Sequence, residues 1–401
     1  MSSPTCPICR HQPERPALNA YFRLSAFYLF YFAGLGVFIP YWSLYLGEQG
    51  ISPRQTGELM AAIMVTKVFA PYLWGWLADR SGNRLAIVRS LSALAAGLFA
   101  LVLWRHDYAA LLVILTLFSF FWHATLPQFE AITLDYLGPR RARYSHIRLW
   151  GSVGFILAVA GMGAAIDHGG LVWQPALVVA LLSLVWLTTL AVRDNHAAPL
   201  HRSHSGSVWT VLRQPVVIAF LGACLLMQAS HGPYYTFFSL YLARHGYSSA
   251  ATGQLWALGV IAEIGVFLLM HRWLPAIGAP RLFMAAALIT AIRWLLIGAW
   301  VDSLIVLIAA QTLHAASYGL FHASAMELLQ HYFPGPLQGR GQALYAGIGF
   351  GIGNALGSLA AGDIWDRYSP ATAYYLASLL CFIAFILAIA AWRHTDSETA
   401  V

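Results

Sequence analysis

The chain reads as an all-α membrane protein with twelve transmembrane helices in two pseudo-symmetric six-helix bundles. Composition, the spacing of apolar runs and an internal repeat carry that reading. Of 401 residues, 59% are hydrophobic and only 10% charged, where soluble domains average about 45–50% apolar and about 25% charged. Such an excess excludes an ordinary soluble enzyme. Apolar runs closed by Pro, Gly or charge, each long enough for the ~20 residues that cross a bilayer, fall at 21–46, 55–78, 85–104, 109–136, 145–166 and 171–192. A second set follows at 215–243, 250–271, 282–300, 303–331, 341–362 and 371–392.

What remains is a tail at 1–20, a His-, Ser- and Arg-rich linker at 193–214 and a tail at 393–401. The first apolar run follows a polar leader and exceeds an h-region, so no cleavable signal peptide is expected. Cys6 and Cys9 form one C-x-x-C in that leader. Without a second pair or His ligands at zinc spacing it assigns no metal, and no cofactor is expected. The formal charge of +7 does not imply nucleic acid, because the 23 basic residues, of which Lys67 is the one lysine, lie scattered between apolar runs. With the N-terminus inside, fifteen arginines fall on the inner side and four on the outer. This is the bias of cytoplasmic loops. The expected setting is a bacterial-type cytoplasmic (inner) membrane, crossed many times, with both termini cytoplasmic and the protein working as a monomer in the lipid bilayer.

Tyr41-Trp-Ser-Leu-Tyr-Leu, running on to Thr56-Gly57, recurs as Phe237-Phe-Ser-Leu-Tyr-Leu, running on to Thr252-Gly253, at a constant offset of 196 residues. Chance matches between apolar helices pair Leu with Ala, whereas this one pairs Ser, Tyr and Gly at a loop and a helix start. An even number of crossings gives both copies one orientation. Parallel six-helix repeats of this kind build carriers whose substrate site lies near the midplane between the halves.

Between spans two and three runs Gly75-Trp-Leu-Ala-Asp79-Arg80-Ser-Gly82-Asn-Arg84. Gly82 suits a tight turn, Gly75 a close helix approach, and Asp79 can pair with an arginine or a helix N-terminus to latch one conformation. The string resembles the signature of the major facilitator superfamily, with Asn83 in place of one basic residue. That resemblance implies the major facilitator fold and makes Gly75, Asp79, Arg80, Gly82 and Arg84 a conformational gate. In the second half only Gly278 survives at the matching offset.

A charge at the bilayer centre costs about 2.5–3.5 kcal/mol on insertion scales, so it is kept when paired, wet or used. Lys67 lies in span two, Glu130 in span four, Arg148 in span five, Glu263 in span eight and Arg293 in span nine. Each half thus supplies an acid and a base, Glu130 with Arg148 and Glu263 with Arg293. Two structural salt bridges are the plainer alternative and stay open at this point. Lys67 has no acid on its own span at its depth and reads as a cavity-facing cation for an anionic substrate. Among histidines, His231 precedes the helix interruption Gly232-Pro233, while His314 shares a depth with Arg293 and Glu263 and His322 follows as a relay.

Glu130 and Arg148, in Pro127-x-x-Glu130 and Arg148-x-x-Gly151, resemble the sugar-binding acid and arginine of proton-coupled galactoside permeases. Glu263, Arg293 and His314 resemble that family's coupling residues, although Ser317, Gln228 and Phe350 replace others of its charges. Over nearly all spans the chain is similar to the 3-phenylpropionate transporter-like group of the superfamily, in Phe38-x-Pro40-Tyr-Trp42-Ser43, Gln228-Ala-x-His231-x-x-Tyr234-Tyr235 and Leu255-Trp-x-Leu-Gly-Val-x-Ala-Glu263. This resemblance implies proton-coupled import of a small aromatic carboxylate by alternating access, with a sugar or nucleoside symporter, or an exporter, as rival readings. Substrate binding then falls to Lys67, Glu130, Arg148, Tyr31, Trp42, His231, Tyr234 and Tyr235, and proton coupling to Glu263, Arg293, His314 and His322. The partners are a small-molecule substrate and a proton. No enzyme chemistry is expected, because no nucleophile, metal cluster or carboxylate dyad gathers at one membrane face.

Overall fold

The computed structural model describes residues 15–193 and 207–398. Cys6, Cys9 and residues 194–206 of the expected linker lie outside them. Among the described residues the regular structure is helical throughout. Twelve helices are long and apolar enough to cross a membrane. They are α1 (Ala20–Phe38), α2 (Pro53–Ser81), α3 (Arg84–Leu103), α4 (Tyr108–Arg141), α5 (Tyr144–Gly169), α6 (Gln174–Ala191), α7 (Pro215–Arg244), α8 (Ser249–Ile277), α9 (Ala279–Ala299), α10 (Leu304–Tyr332), α11 (Gly335–Arg367) and α12 (Pro370–Trp392).

Local chemistry sets the helix ends. At α2, Ser52 Oγ accepts from Gln55 N at 3.2 Å and Gln55 Oε1 accepts from Ser52 N at 3.1 Å, with Pro53 opening the first turn. This is a reciprocal cap. Ser248 Oγ does the same service for α8, accepting from Ala251 N at 3.1 Å. The C-terminal ends match too: Gly82 stops α2 at φ +67 and Gly278 stops α8 at φ +89. Both values favour glycine, which explains why Gly278 outlasts the rest of its motif. The first span is shorter than its apolar run, because Pro40 has no N–H to continue the ladder. α1 ends at Phe38, and Trp42–Glu48 forms a separate short helix. α7 is interrupted at His231, before Gly232-Pro233.

In the first half α1 packs on α5 and α6, α4 on α2 and α3, and α3 on α6. Adding six to each number gives the packing of the second half: α7 on α11 and α12, α10 on α8 and α9, and α9 on α12. Two seams join the halves, α2 against α11 and α5 against α8, and the same operation exchanges them.

Apolar lipid offers helices no hydrophobic reason to associate, so close backbone packing of small residues must hold such seams. Gly57 and Gly253, the paired glycines of the repeat, do this. A Cβ on Gly57 would sit 2.6 Å from Ser358 O, and one on Gly253 would sit 2.6 Å from Val159 O. Hydrogen bonds cross at the same level. Asp167 of α5 accepts from Ser249 N at 2.8 Å and Ala250 N at 2.9 Å in the first turn of α8. Asp366 of α11 accepts from Arg54 N at 3.0 Å in the first turn of α2. Tyr41 Oη donates to Val159 O at 2.8 Å and reaches Ser249 O at 3.4 Å. All of these lie at the membrane face away from the chain ends, called here the far face. The halves are closed there.

Candidate functional site: a polar seam between the halves

Lys67 and Glu263 each sit at the middle of a 29-residue helix, α2 and α8. Ten residues, or about 15 Å of helix, separate each from its seam glycine, Gly57 or Gly253. They are also 196 residues apart, and so occupy one position in the repeat with opposite charges. The equivalence is legible in the repeat offset, and it relates the two halves rather than pairing an acid with a base inside one of them. Lys67 is half-buried, with no hydrogen-bond or ion-pair partner among the described residues. Its neighbour Thr66 anchors α2 to α4 through Ser119 Oγ at 3.1 Å and His123 Nδ1 at 2.8 Å.

In the first half, the expected Glu130–Arg148 pair is replaced by two separate anchors. Glu130 Oε1 accepts from Tyr144 Oη at 2.9 Å. The Arg148 guanidinium lies over the Phe32 ring at 3.8 Å and folds back along α5 onto Gly151, where a Cβ would be 2.7 Å from its Nη1. A cation held on a ring face keeps its in-plane donors free. Arg148 has no hydrogen-bonded acceptor among the described residues, and it lies within electrostatic reach of Glu130 and, across the seam, of Glu263.

In the second half the expected Glu263–Arg293 pair is not made either. Arg293 is fully buried, and its donors go to Ala310 O at 3.0 Å, Ser317 Oγ at 3.0 Å and Gln311 Oε1 at 3.3 Å. Tyr234 and Trp294 stack on it, 4.3 and 4.4 Å from its Cζ. Tyr234 Oη donates to the same Gln311 Oε1 at 2.9 Å. This guanidinium is held behind the cavity wall and satisfied there. Glu263 turns instead to His314, whose Nε2 is 3.8 Å from Oε2. His231 is fully buried, donating Nδ1–H to Met227 O at 2.7 Å, with its Nε2 left without a partner. His322 Nδ1 meets Tyr345 Oη at 3.1 Å.

Two expected ring contacts are packed within the first bundle, although Tyr31 stays within electrostatic reach of Glu130 and Arg148. Trp42 is fully buried among Phe38, Tyr45 and Phe99, and Tyr31 is buried face to face with Trp122 at 4.0 Å. In a chain with 14% aromatics most rings pack rather than bind, and these two do so because they point into the first bundle. Tyr235 remains half-exposed, beside His231.

The gate motif forms a self-contained turn. Asp79 pairs with Arg84 at 2.5 Å, Arg80 lies over Trp76 at 5.4 Å, and Asn83 Oδ1 caps α3 by accepting from Ala86 N at 3.0 Å. A Cβ on Gly75 would approach Gln128 of α4 to 3.2 Å. Asp79 makes its ion pair within its own turn rather than across the seam.

Twelve spanning helices in two equivalent sets, enclosing charged groups at mid-membrane, define a transporter of the major facilitator kind. Residues 21–376 match the profile of the MFS_1 like family, and the chain belongs to that family. It is 29% identical over 371 residues to the "probable 3-phenylpropionic acid transporter" of Escherichia coli, covering 91% of this chain and 96% of that one. It is 27% identical over 380 residues to a maltose permease of Geobacillus stearothermophilus, covering 92% and 94%. Among solved structures, the nucleoside transporter NupG superposes with a TM-score of 0.80 at 15% identity, covering 93% of this chain and 99% of that one. The POT family transporter PepTSo does so at 0.75 and 14%, covering 97% and 99%. At such identities the structural likeness concerns the fold.

Proposed function

We propose that the protein imports a small aromatic carboxylate together with a proton by alternating access, across a cytoplasmic membrane with both termini inside. One observation carries the reading. At mid-depth, the helices of the two seams carry two cations, Lys67 on α2 and Arg148 on α5, that have no hydrogen-bonded or ion-paired acid among the described residues. A cation that no acid bonds directly remains expensive in a membrane interior, and an anionic substrate can supply that bond. Arg148, with its fork of donors open, suits a carboxylate, while Tyr235 offers a ring edge nearby. The distribution of arginines supports the orientation, and the name of the relative from Escherichia coli supports the substrate class.

Coupling follows from charge. In the empty carrier Arg148 faces Glu263 across the seam, and a carboxylate arriving on Arg148 takes that counter-charge away. Glu263 then lies beside a second anion and accepts a proton, with His314 at hand to deliver it. Proton and substrate thus favour the same loaded state.

Proteoliposomes with an imposed pH gradient test this. Labelled 3-phenylpropionate should accumulate and collapse with a protonophore, and lactose, maltose and a nucleoside should not. Gradient-driven uptake of one of those neutral solutes, with none of the acid, would replace the carboxylate reading.

A further inference from the structure

α10 abandons its α-helical ladder for a π-helical turn over Ala315–Leu320, a rare conformation that occurs mostly as single turns and frequently at functional sites. Of its six residues, Tyr318 alone is not buried. In an ideal α-helix residues four apart drift by about 40°, so residues 314 and 322 would diverge by about 80°. The wider turn removes part of that drift. The rings of His314 and His322 flank Tyr318 at 6.1 and 6.0 Å between centroids, with interplanar angles of 23° and 14°. Phe350 of α11 meets its edge at 6.2 Å.

Ring and hydroxyl are treated differently. The ring is flanked by neighbouring rings, whereas the hydroxyl has no hydrogen-bond partner among the described residues and is not fully buried. It is within electrostatic reach of Glu263 on α8, Arg148 on α5 and Glu130 on α4. With near-parallel imidazoles about 6 Å away on the preceding and following turns, the ring has little room to stack on a substrate. The hydroxyl is the part left to act.

We propose that Tyr318 is a substrate-contacting residue, donating its hydroxyl hydrogen to the second oxygen of the carboxylate held by Arg148. This rests on the aryl-carboxylate reading above. The contact joins α10 of one half to a ligand on α5 of the other, so it exists only in the loaded carrier and favours closure around an acid over a neutral analogue.

Tyr318→Phe removes the oxygen and keeps the packing. In purified full-length protein, calorimetric titration with 3-phenylpropionate should show affinity reduced about ten- to hundredfold, the range for a hydrogen bond to a charged group. The KM for counterflow should rise in step, with maximal exchange rate and melting temperature unchanged. Unaltered affinity overturns the proposal, and so does a lowered melting temperature accompanying the loss, which would assign the hydroxyl to the fold. If the wild-type protein binds no aryl carboxylate, the parent reading fails. If the wild type binds and Tyr318→Phe binds equally, only this inference does.

Discussion

The far face closes on carboxylates that cap helices belonging to the opposite half, and removing them should release it. Asp167 serves the first two N–H groups of α8, Ser249 and Ala250, which Ser248 does not reach because its own Oγ serves Ala251. Asp366 serves Arg54 in α2. A helix N-terminus leaves four donors open and carries partial positive charge, so each carboxylate is bound both by hydrogen bonds and by the dipole. Hydrogen bonds to charged groups contribute about 1.5–3 kcal/mol when buried. Asp167 and Asp366 are exposed, and a solvated cap is worth about 1 kcal/mol. Two such latches sum to about 2 kcal/mol, which changes the closed-to-open ratio by about thirtyfold. Spin labels at Val172→Cys and Trp300→Cys, both strongly exposed at far-face turns, would report the separation of the halves by double electron–electron resonance. In Asp167→Ala/Asp366→Ala the long-distance population should grow, and each single variant should move it part way. Superimposable distance distributions in the double variant and the wild type would refute the idea that these caps hold the face shut.

Gly253→Ala should shift the same populations in the same direction, since its methyl group meets the backbone carbonyl of Val159 at 2.6 Å and only separation of α5 from α8 makes room. Arg293→Ala removes three hydrogen bonds of a fully buried side chain and empties the space between Tyr234 and Trp294, and should destabilise the protein by about 3 kcal/mol or more, read as a lower melting temperature in detergent before any transport is measured. Arg148→Ala should leave the melting temperature nearly unchanged, because its guanidinium bonds no protein acceptor, yet abolish saturable uptake of the acid. Gly82→Ala forces a side chain into the left-handed region at φ +67, a cost of about 1–2 kcal/mol that should appear as faster hydrogen exchange at the start of α3.

How far the sequence alone could be read differs between the scaffold and the site. Helix count, the break at His231 and the turn at Gly82 were all legible, because each depends on local rules: apolar length, a proline without its N–H, a backbone angle that favours glycine. Pairing of the buried charges was not. Counting one acid and one base per half points to Glu130 with Arg148 and Glu263 with Arg293, but helix rotation turns Arg293 into the wall against α10 and leaves Arg148 at the seam. Trp42 and Tyr31 resisted reading for the same reason, since an aromatic ring serves packing or binding equally until its direction is known.

Order along the chain thus settled what can be decided within one helix or by comparing two stretches: membrane residence, twelve crossings, duplication and the glycines that punctuate it. Only the packed molecule decided which charges face one another, because that depends on the rotation of each helix about its axis. Rotation is set by the neighbours a helix touches, and a neighbour such as α8 beside α5 lies far away in sequence. The charges of Lys67 and Glu263 are written in the chain, while the seams on which their helices lie, α2 with α11 and α8 with α5, exist only once the two halves meet.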